Sequence, residues 1–183
     1  MLPDLISATS LKVGPLERWP VGAADGIRCH RRADEAFHAD RRFVGGMTAM
    51  RDDLMDAGFG RGPARAAAHV SWELLLDGTL LGDRATVGAY LDALAVPGPT
   101  WAPAAEVGEL DRWQEVVRRY RERGLPDGIA PASTADLVVR LLARRPRLAV
   151  DASLTSALVE VLVQHEPRVV EVAGEVITAT AAA

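Results

Sequence analysis

The clearest signal of the fold lies in residues 69–80, which read His69-Val70-Ser71-Trp72-Glu73-Leu74-Leu75-Leu76-Asp77-Gly78-Thr79-Leu80. The apolar side chains recur at intervals of three and four residues, the spacing that places them on one face of an α-helix. Residues 137–142 repeat this pattern. Strict alternation, which is typical of a strand, occurs only in fragments such as residues 169–172, and that fragment lies in a longer helical pattern. The sequence therefore predicts an all-α fold.

Glycine and proline predict where the helices begin and end. Gly45-Gly46 and the Gly58-Phe59-Gly60 segment are expected to interrupt helices in the first half of the chain. Pro146 is expected to end a helix, because the residue before a proline is driven out of the α region. Pro167 is expected to begin the last helix, with His165 capping the C-terminus of the preceding one. We expect about seven helices in a single domain over residues 1–183.

Length and composition limit the classes of protein that need to be considered. A chain of 183 residues suits one ordinary domain. Its single cysteine, Cys29, excludes an internal disulfide and a Cys-rich zinc site. The net charge of −4 argues against a dedicated nucleic-acid-binding protein, and no apolar run reaches the ~18 residues of a membrane span. With no signal segment recognised, we expect a cytoplasmic protein that binds neither nucleic acid nor membrane.

Two stripes of potential metal ligands contain three of the four histidines. Each stripe has the spacing i, i+4, i+8, which aligns its members along one helical face. The stripes are His30, Asp34 and His38, and His69, Glu73 and Asp77. The second lies among apolar residues, so burial of its polar groups is costly unless something compensates them. Imidazole and carboxylate ligands suit Mn, Fe, Zn or Mg, so two facing stripes predict a divalent metal site.

Ion pairing is the alternative interpretation of the same stripes. Four arginines are close enough in sequence to neutralise the carboxylates, namely Arg31, Arg32, Arg41 and Arg65. In that case the polar residues form salt bridges and caps, and the protein is a non-catalytic helical module.

Several motifs, in order along the chain, resemble the acyl carrier protein phosphodiesterases, distant relatives of the HD-domain metallohydrolases. The Gly-x-x-x-His-Arg-x-x-Asp signature matches Gly26–Asp34, and the buried Asp-x-x-Trp-Asp-His helix is similar to His69–Leu74. Leu2–Leu5 resembles the acidic N-terminal element, Arg119–Arg121 the Arg-Tyr-Arg motif, and Arg144–Leu148 the motif Arg-Arg-Pro-Arg-Leu. Leu74 stands where the family has a histidine, and His69 stands where it has an acid.

The resemblance implies an HD-domain-like helical bundle that hydrolyses the phosphodiester between phosphopantetheine and the carrier protein. A bound divalent metal lowers the pKa of its water and neutralises charge on the phosphoryl oxygens. Asp77 is the expected general base, and Arg31 is expected to bind phosphate oxygens. An acidic acyl carrier protein is the implied partner, facing arginines at 118–123 and 144–147. The expected metal ligands are Asp4, His30, Asp34, His38, His69 and Glu73.

An iron-dependent oxygenase is a second enzymatic interpretation, because iron held by histidine and carboxylate also activates oxygen, and related scaffolds host that chemistry. The fold by itself does not separate the two activities. The sequence predicts neither the physiological substrate nor the oligomeric state.

Overall fold

The structure is a computed structural model that describes residues 15–19, 21–95, 111, 114–119, 122 and 130–182. These residues contain no β-strand, so the all-α prediction is confirmed. Residues 114–119 are helical, and short 3-10 turns span Leu16–Arg18 and Ala152–Leu154. None of the described helices combines the length and apolar composition needed to cross a bilayer. The longer helices are α1 (Val21–Ala39), α2 (Arg41–Asp56), α3 (Arg61–Leu80), α4 (Arg84–Ala95), α5 (Pro131–Leu142) and α6 (Thr155–Ala181).

The chain divides into two compact units. The first consists of Met1–Glu35 and Arg84–Leu125, and the second of Ala36–Asp83 and Pro126–Ala183. Helix α1 begins in the first unit and ends in the second, so its last turn belongs with α2, α3, α5 and α6. A single domain and an HD-domain-like arrangement both stay predictions.

The second unit has an apolar core formed by α2, α3, α5 and α6. Helices α3 and α6 pack against each other, and each also packs against both α2 and α5. Helix α3 faces its neighbours with fully buried alanines, and small side chains let helix axes approach closely. Trp72 is completely buried. The largest fully buried side chains of this core are Trp72, Phe43, Met50, Leu54, Leu158, Leu162, Val138, Val169 and Val176.

The predicted break at Gly45-Gly46 is wrong, because α2 is continuous through both residues. Gly46 is buried where α2 crosses α3, and a Cβ there would lie 1.8 Å from Cζ2 of Trp72. Glycine lowers the helix propensity by about 1 kcal/mol relative to alanine. At Gly46 the missing side chain makes room for the indole, so packing between the helices outweighs the local preference.

The break predicted at Gly58-Phe59-Gly60 is confirmed. Helix α2 ends at Asp56, and Gly58 has a φ of 98°, a left-handed conformation that glycine adopts readily. The N–H of Gly58 donates to the carbonyl of Met55, and that of Phe59 donates to the carbonyl of Leu54, both at 3.0 Å. This pair of bonds is a Schellman motif, which satisfies the last carbonyls of the helix.

The sequence predicts that Pro167 begins the last helix, and this is wrong. Pro167 lies inside α6. A proline within a helix removes one backbone hydrogen bond and crowds the preceding turn. Leu162 precedes Pro167 and Val169 follows it, and both are fully buried in the core. Because both halves of α6 are anchored in this way, tertiary packing keeps the helix continuous.

Candidate metal centre

The turn between α1 and α2 is held by Asp40. Its Oδ1 accepts hydrogen bonds from the backbone N–H groups of Arg42 (2.7 Å) and Phe43 (3.4 Å), which caps the N-terminus of α2. The Arg42 guanidinium donates to Asp40 Oδ2 at 3.0 Å and pairs with Glu175 of α6 at 2.7 Å. This capped turn places His38, in the last turn of α1, close to the first turn of α2.

Three potential ligands converge at this turn: His38, His69 and Glu73. His69 and Glu73 are four residues apart on α3 and therefore share a face, with Nε2 of His69 3.1 Å from Oε1 of Glu73. Nε2 of His38 lies 3.6 Å from the same oxygen. One ligand atom from each residue lies within 4.8 Å of the other two, so the group could hold a metal ion.

The separations between these atoms suit a shared ion. Ligand atoms at 2.0–2.2 Å from one ion, in tetrahedral or octahedral geometry, are about 3–3.5 Å apart. The distance from His69 to Glu73, 3.1 Å, lies within this range, and the distance from His38 to Glu73, 3.6 Å, lies just above it. The ligand atoms of the two histidines lie within 4.8 Å of each other, so the three groups are close enough to be candidates for one cation.

The candidate centre is partly exposed to solvent. The exposed fractions of the His38, His69 and Glu73 side chains are 32%, 40% and 36%. Structural zinc sites are closed by four protein ligands, whereas catalytic sites use three and leave a position for water or substrate. The candidate group offers three ligands, one fewer than a closed structural zinc site.

The two imidazoles contact each other and neighbouring phenylalanine rings. The rings of His38 and His69 are stacked, with centroids 5.0 Å apart and an interplanar angle of 15°. Phe43 meets both in edge-to-face geometry, at 5.4 Å from His38 and 5.8 Å from His69. Phe37 contacts His38 at 5.1 Å. Neither phenylalanine was singled out from the sequence, because nothing local connects Phe43 to His69.

The structure brings together half of the six predicted ligands. His38, His69 and Glu73 form the group, and Asp4 lies outside the described residues. His30 and Asp34 share α1 with His38 but fall in the first unit, and neither belongs to the group found among the described residues. Of the two residues predicted to be catalytic, Asp77 is exposed one turn beyond Glu73, and Arg31 is exposed in the first unit.

The arginines predicted to dock a carrier protein differ in their surroundings. Arg118 and Arg119 bond to Glu115, and Arg118 also bonds to Glu122. The hydrogen bonds from Arg118 and then Arg119 lower the pKa of Glu115. Arg121 and Arg123 lie outside the described residues, whereas Arg144, Arg145 and Arg147 are exposed in the second unit. Docking of a carrier protein by either group of arginines stays a prediction.

His165 was predicted to cap a helix C-terminus, and this is wrong. The residue lies in the middle of α6, is only 7% exposed, and has its Nε2 2.7 Å from Oδ2 of Asp53 on α2. Its Nδ1 is buried without a hydrogen-bond partner among the described residues. Its spacing from Leu162 and Val169 on one apolar face of α6 was the signal for burial.

Comparisons of this chain with protein-family models, with curated proteins and with solved structures find no match. Its likeness to the acyl carrier protein phosphodiesterases therefore rests on the sequence motifs alone.

Proposed function

We propose that the protein binds a divalent transition metal at His38, His69 and Glu73 and hydrolyses a phosphodiester there. The observation that carries the proposal is the convergence of two imidazole Nε2 atoms on one carboxylate oxygen, at 3.6 and 3.1 Å. Two neutral imidazoles and one carboxylate suit Mn, Fe or Zn, and the order of motifs along the chain supports a phosphodiester as substrate.

A bound metal ion and Asp77 have different roles in the proposed hydrolysis. When bound, a divalent ion supplies Lewis acidity toward a phosphoryl oxygen. Asp77 follows Glu73 by four residues on α3, is exposed, and is not part of the ligand group. Its carboxylate is the proposed general base, which accepts a proton from the attacking water as the new P–O bond forms. One ester P–O bond would break in the same reaction, and the leaving oxygen would take up a proton to depart as an alcohol.

An acidic acyl carrier protein is the proposed macromolecular substrate. Arg144, Arg145 and Arg147 are all exposed in the turn that follows α5. Complementary charge of this kind accelerates association and orients the partner. Reversing these charges should raise KM for the carrier protein and leave hydrolysis of a small phosphodiester unchanged.

The test of the proposed function begins with elemental analysis of protein purified without chelator. Metal-loaded protein is then assayed on bis(p-nitrophenyl) phosphate and on phosphopantetheinylated carrier protein. Glu73→Gln and His69→Ala should lose both the metal and the activity. Glu171→Gln, which changes an exposed carboxylate on α6, should retain both. Hydrolysis of neither substrate by metal-loaded protein would refute the phosphodiesterase.

The donor set also supports a second candidate, an iron-dependent oxygenase. Two histidines and one carboxylate with open positions are the ligands typical of non-haem Fe(II) oxygenases. Oxygen consumption by the Fe(II)-loaded protein, together with no hydrolysis by the Mn- or Zn-loaded protein, would favour this candidate. If no metal binds, the three residues form an ion-paired polar network, and the non-catalytic module is favoured.

A further inference from the structure

The ring of Phe43 makes an aromatic contact with both histidines. It meets His38 at 5.4 Å with an interplanar angle of 66°, and His69 at 5.8 Å with an angle of 81°. Such edge-to-face contacts are favourable because the positive edge of one ring meets the negative face of the other. Phe43 itself is 1% exposed, so the partly exposed imidazoles rest against a buried ring.

Phe43 is itself held on several sides. Its backbone N–H donates to the capping carboxylate of Asp40, which sets the start of α2. Its ring contacts Phe37 at 4.2 Å and meets Trp72 edge to face at 6.2 Å and 88°. The indole of Trp72 in turn fills the space beside Gly46. The position of the Phe43 ring is therefore determined by the packing of α2 on α3.

We infer that Phe43 is a positioning residue of the metal centre, an inference that rests on the proposed function. Rotation of an imidazole about its χ2 torsion is soft, since torsions of this kind have broad energy minima. Contact with one fixed ring restricts both imidazoles to the stacked orientation in which each Nε2 faces Glu73. Ligands ordered before the ion arrives bind it more tightly, because less freedom is lost on binding.

The test compares Phe43→Leu with a matched control, Phe59→Leu. Phe59 is 4% exposed in the core of the same unit and has no ring contact with either imidazole among the described residues. Both variants remove a buried aromatic ring, so both should lower the melting temperature. Zn²⁺ affinity is measured by calorimetry well below each melting temperature. Phe43→Leu should weaken Zn²⁺ binding by about 10–100-fold and Phe59→Leu by no more than about twofold, the difference expected for residues that orient ligands.

The outcomes separate this inference from the proposed function. Equal losses of Zn²⁺ affinity in the two variants, or none in Phe43→Leu, would refute the positioning role and leave the metal site standing. Absence of Zn²⁺ binding by the unchanged protein would refute both. A second measurement covers the case in which Phe43→Leu does not fold. The metal-free, unchanged protein should show nuclear Overhauser effects from the Phe43 ring to both imidazoles, and their absence would overturn the inference.

Discussion

The imidazole of His165 and the carboxylate of Asp53 join α6 to α2, with Nε2 and Oδ2 2.7 Å apart. The two residues are 112 positions apart in the sequence. The His165 side chain is 8% exposed and that of Asp53 is 50% exposed. The carboxylate thus satisfies one nitrogen of a buried ring whose Nδ1 has no hydrogen-bond partner in the described part of the chain.

We expect Asp53→Ala to lower the free energy of unfolding by about 1–3 kcal/mol, because it leaves a buried imidazole without a partner at either nitrogen. Asp52→Ala is the matched control, since Asp52 is exposed and pairs with Arg51 at the surface. It should change stability by less than about 1 kcal/mol. Urea unfolding of both variants measures the difference. Equal changes in the free energy of unfolding would show that the contact between Asp53 and His165 does not stabilise the protein.

The two neighbouring glycines of α2 should respond in opposite directions to alanine. Gly45→Ala should stabilise the protein by about 1 kcal/mol, because the site is open and alanine favours the helix. Gly46→Ala should destabilise it by about 1–3 kcal/mol, since the new methyl group would overlap the Trp72 ring. Urea unfolding again provides the measurement. A stabilised Gly46→Ala variant would contradict the close packing of α2 on α3.

The metal site predicts which histidines govern metal-dependent stability. Zn²⁺ at 100 times its dissociation constant should raise the free energy of unfolding by about 2.7 kcal/mol, because the ion binds the folded protein. His38→Ala and His69→Ala should abolish this increase, as members of the ligand group. His30→Ala should retain it, since His30 is not in that group. Loss of the increase in His30→Ala would show that His30 also contributes to metal binding, as the sequence predicted.

The carboxylate of Asp151 should make stability depend on pH in the acid range. The Ser153 hydroxyl and then its backbone N–H donate to Asp151, which lowers the pKa of that carboxyl. A lowered folded-state pKa stabilises the protein above the pKa of an unfolded aspartate, about 3.9, and this stabilisation is lost as the pH falls through the folded-state value.

Asp151→Ala should therefore lower the melting temperature near neutral pH, and its deficit should shrink as the pH falls below about 4. Thermal unfolding of the variant and the unchanged protein between pH 7 and pH 3 checks this. A deficit that does not change with pH would contradict a role for the ionised carboxylate.

The sequence predicted the pair of candidate ligands on α3, but on α1 it predicted only a set of three candidates. The pairing of His69 with Glu73 follows from a spacing of four residues on one helix, and the structure places them 3.1 Å apart. On α1, the same spacing made three residues equal candidates for the partner of this pair, namely His30, Asp34 and His38. His38 joins them because Asp40 caps α2 at that point and the chain turns there.

The sequence by itself determined the helical class and the potential ligand pairs. Both depend on periodicity, which is a property of residues three and four positions apart. Tertiary structure decided that Gly46 and Pro167 lie inside continuous helices and that His165 meets Asp53. These outcomes depend on close packing between residues far apart in sequence. The local helix penalties at Gly46 and Pro167, about 1 and 3 kcal/mol, are overcome by contacts that no local pattern encodes.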